Sequence, residues 1–147
     1  VKDSGFPNMK VLEFAFDSRD SSGPKDYLPY NYDKNCVVYT GTHDNDTIIG
    51  WWNTASDEDK KEAAAYLRLR KEEGFNRGFI RGAWSSAADL AIVPMQDLLG
   101  LGSEARMNTP SVLGGNWQWR MRKEQINPEL LDWLRELTRL YGRSALE

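Results

Sequence analysis

Residues 37–42 of this 147-residue chain run Val-Val-Tyr-Thr-Gly-Thr and then stop against His43, Asp44, Asn45, Asp46 and Thr47. β-Branched and aromatic residues bounded by turn formers read as a short strand, here Cys36 to Thr42. His43 is the only histidine of the chain, and two carboxylates follow it within three positions. A buried parallel strand that ends in ionisable residues is how barrel enzymes present chemistry at their C-terminal mouth. The same residues also suit an Asx-type turn that simply starts the next segment. Spacing alone leaves both readings open.

The rest of the chain constrains the architecture around that strand. Met9 to Phe16 reads as a first strand behind the turn signal Gly5-Phe6-Pro7, and residues 17–35 read as loop. Ser56 offers an N-cap, with acids at Asp57, Glu58 and Asp59. The helix it starts carries Arg68, Arg70 and Lys71 near its end, and Gly74 is expected to stop it. Phe79, Ile80, Ala83 and Trp84 recur at helical spacing from about Asn76. Leu90 to Val93 is a third strand closed by Pro94, and Gln96 to Leu101 a short helix. Residues 102–121 form a Gly-, Asn- and Trp-rich loop. Asn127 and Pro128 open a last helix with Leu130, Leu134, Leu137 and Tyr141 on one face. Strands alternating with helices predict a parallel α/β architecture. Three strands cannot close a barrel that needs eight.

Composition excludes more than it identifies. A formal charge of −3 with acids and bases interspersed offers no basic face to nucleic acid. The single cysteine, Cys36, rules out an internal disulfide framework and reads as a small core residue. No apolar stretch approaches eighteen residues and no signal peptide is visible, so no membrane partner is expected and the chain reads as soluble. One histidine and one cysteine leave no His/Cys metal site to expect. Six tryptophans and six tyrosines suit the C–H faces of sugar rings, but also simply fill space between helices and sheet.

Three motifs taken together carry a resemblance. Thr42-His43-Asp44-Asn45-Asp46-Thr47, Met107-Asn108-Thr109-Pro110 and Gly115-Asn116-Trp117-Gln118-Trp119-Arg120 resemble the amylomaltase or disproportionating-enzyme family, 4-α-glucanotransferases related to the α-amylases. The likeness runs in one order from about Gly5 to Arg143. It implies an α/β fold made of about three β/α units, the C-terminal part of an amylase-type (β/α)8 TIM barrel. Residues 1–147 would then be one segment of the catalytic barrel, with no second domain.

The family's function implies roles for particular residues. Asp44 matches the third carboxylate of the family, which grips donor-sugar hydroxyls and stabilises the cationic transition state. His43 matches a neighbouring ligand to the same sugar, Asn108 a residue at the donor-binding floor, and Phe14 an aromatic near the acceptor side. Each has a plainer structural alternative: a strand-end histidine, an ordinary Asn-Thr-Pro turn, a core phenylalanine. The loop after Phe14 is acidic in relatives, and Asp17-Ser18-Arg19-Asp20 departs from that pattern. Trp117 and Trp119 read as a strand-like anchor, and Glu104 with Arg106 as a loop-organising ion pair. The family's nucleophile and general acid lie upstream of residue 1, so the chain alone is expected to be inactive. The resemblance implies maltooligosaccharides as partners, no cofactor and no metal, and a cytoplasmic location, or a plastid if the source is a plant.

Two other readings compete. Asp44-Asn45-Asp46 could form the Asp-x-Asp metal site of a sugar-nucleotide transferase, or the chain could be a non-catalytic carbohydrate-binding module. The barrel reading carries a folding consequence. Val11, Phe14, Val37, Tyr39 and Ile92 should face an absent barrel interior, and two sheet edges should stay open. Either the chain associates with another copy through its edges, or His43, Asp44 and Asn108 are displaced from a common pocket.

Overall fold

The computed structural model describes residues 6–19 and 27–144; Gly5 of the expected opening turn and positions 20–26 of the expected loop lie outside them. Three parallel strands, β1 (Asn8–Val11), β2 (Cys36–Tyr39) and β3 (Leu90–Ile92), lie in the order β1-β2-β3. Val11 stands opposite Tyr39, and Tyr39 opposite Ile92. Parallel neighbours need long crossovers. The second crossover holds α1 (Ile48–Thr54), α2 (Asp57–Leu67) and α3 (Phe75–Trp84). The first contains, among the described residues, 3-10 turns such as Leu12–Ala15 and Pro29–Asn31 and no α-helix. After β3 come α4 (Met95–Leu98) and α5 (Pro128–Leu140).

β1 ends earlier than the sequence predicts, and the cause is packing. In a strand, positions 12, 14 and 16 would share one face. The 3-10 turn instead buries Leu12, Ala15 and Phe16 together and leaves Phe14 half-buried against Tyr27, edge to face at 5.5 Å. The Glu13 N–H still donates to the Thr40 carbonyl at 3.2 Å, which keeps this turn at the end of β2.

Helix α1 was not expected from the sequence, although Thr47, Ile48, Trp51 and Ala55 spell an N-cap and an apolar face. The Thr47 hydroxyl accepts the Gly50 N–H at 3.0 Å, and Ile48 and Trp51 are fully buried. Ser56 caps α2 as predicted, accepting the Asp59 N–H at 3.2 Å. That helix does not run to Gly74. It stops at Leu67, followed by Arg68 in the left-handed conformation at φ 53°. Arg81 from α3 donates to the Leu67 carbonyl at 2.8 Å, satisfying one of the orphan acceptors of the helix end. Gly74, at a φ of 99° that strains any residue with a Cβ, is the N-cap of α3.

The core lies on one side of the sheet. Cys36, Val38 and Thr40 point into it and are essentially inaccessible, packed with Leu12, Ile48, Trp51, Phe79, Ile80 and Ala83. α5 docks behind α3 through Leu130 and Leu137, the Trp84 indole N–H to Thr138 Oγ1 at 3.1 Å, and a two-pronged Arg77–Glu129 pair. The opposite sheet face is open. Met9 is 59% exposed, Leu90 52% and Ile92 39%, with Val37 and Tyr39 half-buried between them. Of the five side chains expected to face the barrel interior, two do not lie open on this face: Val11 is buried where the chain enters the Leu12–Ala15 turn, and Phe14, within that turn, packs on Tyr27.

Candidate functional site at the strand ends

Beyond β2 the chain builds a small hydrogen-bonded platform. Thr40 Oγ1 donates to Asp97 Oδ2 at 2.8 Å, and Asp97 Oδ1 accepts the Ile48 N–H at 2.8 Å. One buried carboxylate thus ties the strand end, the start of α1 and the segment after β3 together. Asn45 Oδ1 then accepts the Thr42 N–H at 2.8 Å and its hydroxyl at 2.9 Å, while the Asp44 N–H reaches Thr42 Oγ1 at 3.3 Å. The segment is a local turn as well as a presenter of ionisable groups, but its two-residue bond is made by the Thr42 hydroxyl, an ST turn rather than the expected Asx type, with Asn45 closing back on Thr42.

The turn puts His43 and Asp44 on the rim of an open cleft lined also by Met9, Tyr39, Ile92 and Pro94. Asp44 Oδ1 accepts from Asn108 Nδ2 at 2.7 Å, and Oδ2 lies 3.4 Å from His43 Nε2. The Asn108 main-chain N–H donates to the His43 carbonyl at 3.1 Å. About half of each side chain of the His43–Asp44 pair remains open to solvent. His43, Asp44 and Asn108 are therefore not displaced from one another. Bonds between the two loops, both within the chain, hold them without help from other strands.

Several residues stand where sequence reasoning did not put them. Trp117 is no strand-like anchor: it has a left-handed backbone at φ 61°, donates its N–H to the Met107 carbonyl and lays its ring 5.1 Å from that of His43. The Gly114-Gly115-Asn116 run ahead of it was the available signal, since both glycines take positive φ and the Asn116 amide bridges Thr109 and Val112. Arg106 does not pair with Glu104. It donates Nε to the Asn108 carbonyl at 3.0 Å and Nη2 to the Asp44 carbonyl at 2.8 Å, whereas Glu104 accepts the Gly102 N–H. Phe14 takes no part in these contacts; its ring meets Tyr27.

The remaining acids are committed elsewhere. Asp46 accepts the Thr47 N–H and the Ser103 hydroxyl, both at 2.8 Å, and so turns away from Asp44. An Asp-x-Asp pair converging on one metal is not what this turn forms. Among the described residues no three His, Cys, Asp or Glu side chains group as metal ligands. Asp97 is almost wholly buried; burial, and secondarily the Asp46 charge, push its carboxyl up to about 6 against the bonds from Ile48 and Thr40. Glu13 was missed altogether. It is buried beneath Gly41, where an added Cβ would stand 3.0 Å from Glu13 Oε2, and that oxygen has no hydrogen-bond partner. Burial first, then the charges of Asp97, Asp46 and Asp17, raise its carboxyl well above the usual range.

A strand-end carboxylate oriented by an amide and flanked by a histidine and an exposed indole defines a polar, aromatic-edged site on a parallel α/β scaffold. The comparisons with known proteins say which. The family model described as 4-alpha-glucanotransferase matches residues 1–126. The chain is 54% identical to the 4-alpha-glucanotransferase of Clostridium butyricum over 97% of its length, covering 29% of that protein. It is 50% identical to the chloroplastic/amyloplastic 4-alpha-glucanotransferase of Solanum tuberosum over 93% of its length, covering 24% of that one. The amylomaltase from Streptococcus agalactiae in complex with acarbose superposes with a TM-score of 0.90 at 39% identity, over 97% of this chain and 28% of that one. The chain belongs to the 4-alpha-glucanotransferase family. It spans between about a quarter and 29% of the length of these relatives, and its three parallel strands and helices are a portion of the amylomaltase barrel.

Proposed function

We propose that this chain forms the charge-stabilising wall of the donor-sugar site in a 4-alpha-glucanotransferase that moves α-1,4-glucan segments between maltooligosaccharides with retention. The observation that carries this reading is the Asp44 carboxylate, held by Asn108 at 2.7 Å at the mouth end of β2 with its second oxygen turned toward His43. Retaining glycosyl transfer proceeds through an oxocarbenium-like transition state flanked by two carboxyl groups, one nucleophile and one acid. A third, preorganised carboxylate lowers the barrier because the sugar ring becomes cationic only at the transition state. Asp44 serves as that group. His43 offers a hydrogen bond to a sugar hydroxyl, Trp117 closes the edge beside it, and Asn108 orients Asp44 while presenting its amide to the donor-site floor. Phe14 is assigned to the acceptor side. Nucleophile and acid come from elsewhere in the barrel, and no metal or cofactor enters the scheme.

The acarbose bound to the Streptococcus agalactiae amylomaltase supports a carbohydrate ligand for this family. No helix among the described residues is long and apolar enough to cross a membrane. We assign the protein to the cytoplasm, or to a plastid if it comes from a plant, where the Solanum tuberosum relative is named as residing.

The test is a comparison of two substitutions in a full-length protein carrying this chain. Asp44→Asn should lower kcat about 10²–10³-fold while maltotriose binding changes little. His43→Ala should cost less, because a neutral hydrogen bond contributes less than a charge. The isolated chain should show no disproportionation of maltotriose. Small and equal effects of the two substitutions, or glucose release by the isolated chain, would overturn the reading.

A further inference from the structure

We infer that Arg106 is a positioning residue for transfer, acting through Asp44; the inference rests on the donor-site reading above. Asp44 lies on the turn after β2 and Asn108 on the loop after α4, two segments far apart in sequence. Their side chains meet at 2.7 Å, a bond that survives only if both backbones keep their separation. Arg106 fixes that separation together with the Asn108 N–H bond to the His43 carbonyl. Its Nε and Nη2, on one edge of the planar guanidinium, reach the carbonyls of Asn108 at 3.0 Å and of Asp44 at 2.8 Å. The fork is rigid, so the two carbonyls are held at a fixed spacing, which the flexible point charge of a lysine cannot reproduce.

The arginine is itself anchored. Ala105 before it is fully buried, and its carbonyl accepts from the buried Gln96 side chain at 3.2 Å. The Arg106 N–H closes a 3-10 turn on the Ser103 carbonyl at 3.0 Å. Ser103 in turn donates its hydroxyl to Asp46 at 2.8 Å, on the Asp44 turn. The loop therefore grips that turn at two points, Asp44 and Asp46, and Arg106 is the one that spans to Asn108. The three hydrogen bonds that Arg106 donates all go to main-chain carbonyls, of Asn108, Asp44 and Ser103, and none to a carboxylate, so its role is geometric. Reacting groups misplaced by about 1 Å lose rate by around 10²-fold, whereas ground-state affinity tolerates such shifts.

The experiment measures maltotriose disproportionation by the full-length protein with Arg106→Gln and Arg106→Lys, each alone and combined with Asp44→Asn. Both single variants should lose about 10- to 100-fold in kcat with KM changed less than about threefold. Lysine should fail to rescue, since charge is retained and the fork is not. In the Asp44→Asn background the Arg106 substitutions should cost less than about twofold, because the group they position is already gone. Thermal unfolding midpoints should stay near that of the parent. Activity within twofold of the parent for Arg106→Gln, rescue by Arg106→Lys, or an undiminished loss in the Asp44→Asn background would each overturn the inference. So would loss of folding in both variants, which would make Arg106 a stability residue. If Asp44→Asn alone leaves turnover intact, the donor-site reading fails first and this one with it.

Discussion

The two faces of the three-stranded sheet are built from alternate residues of the same strands and come out opposite. On the helix side Cys36, Val38 and Thr40 are at most 1% exposed; on the other, Met9, Leu90 and Ile92 are 59, 52 and 39% exposed. The helix-side core closes within the chain because α1, α2 and α3 all belong to the β2–β3 crossover. The other face meets in a closed barrel only side chains from further strands, and among the described residues no further strand covers it. Yet the strand-end platform, which borders the open face, is as well ordered by hydrogen bonds as the closed side is by packing. Hydrophobic closure needs the whole barrel; a polar site built from short loops needs only its own loops.

The contrast is broken most forcefully from the closed side. Phe79→Ala removes a fully buried ring that packs on Trp51 and Phe16, and should cost about 3–5 kcal/mol of stability. Chemical denaturation of the isolated chain checks it. A loss below about 1 kcal/mol would mean that this core is not closed.

The next effect comes from the buried acids under the platform. Asp97 has a folded value near 6 and Glu13 is raised in the same direction, against unfolded values of about 3.9 and 4.3. Well below pH 4 both states are protonated and the ionisation of neither acid costs stability. As pH rises, the unfolded chain releases its protons first, so the unfolded state binds fewer and stability falls, at most by about 1.4 kcal/mol per pH unit for each group, for Asp97 levelling above pH 6. Glu13→Gln should therefore match the parent at pH 4 and exceed it in unfolding free energy at pH 8. A variant less stable than the parent at pH 8 would show that the buried carboxyl has a partner and stays charged.

The smallest effect probes the open face. Ile92→Ser in the isolated chain should change the unfolding free energy by less than about 0.5 kcal/mol, since the side chain is partly exposed and lies outside the helix-side core. The same change should weaken self-association of the isolated chain through the open face and edges, measured by light scattering against concentration. A parent chain that stays monomeric at all concentrations would remove the association expectation and leave the open face as a solvated surface.

Local physics made much of this legible in the sequence. The Ser56 and Asn127 caps, the apolar stripe of α3 and the three strand cores follow from neighbours within one turn or one strand, and each stands where its pattern places it. The His43-Asp44 turn was legible for the same reason, since the apolar-to-polar change and side-chain-to-backbone turn bonds are both local, although Thr42 rather than an Asn or Asp makes the two-residue bond. Boundaries were less so. β1 gave way to a 3-10 turn because Leu12, Ala15 and Phe16 all had to reach the helix-side core, and α2 stopped at Leu67, where Arg81, fourteen residues on, caps its end.

What the sequence determined alone is the set of chemical groups, their order and the periodicities that make strands and helices from them. Which groups meet was decided only by the tertiary structure. Asn108 reaches Asp44 across 64 positions, and Arg106 reaches it across 62. Trp117 comes to His43 through a left-handed turn, and Glu13 is buried under Gly41 with its Oε2 lacking a hydrogen-bond partner. None of these pairings leaves a periodic trace, because hydrogen bonds and burial depend on distance in space, and parallel strands bring distant segments together through crossovers whose length the local pattern does not encode.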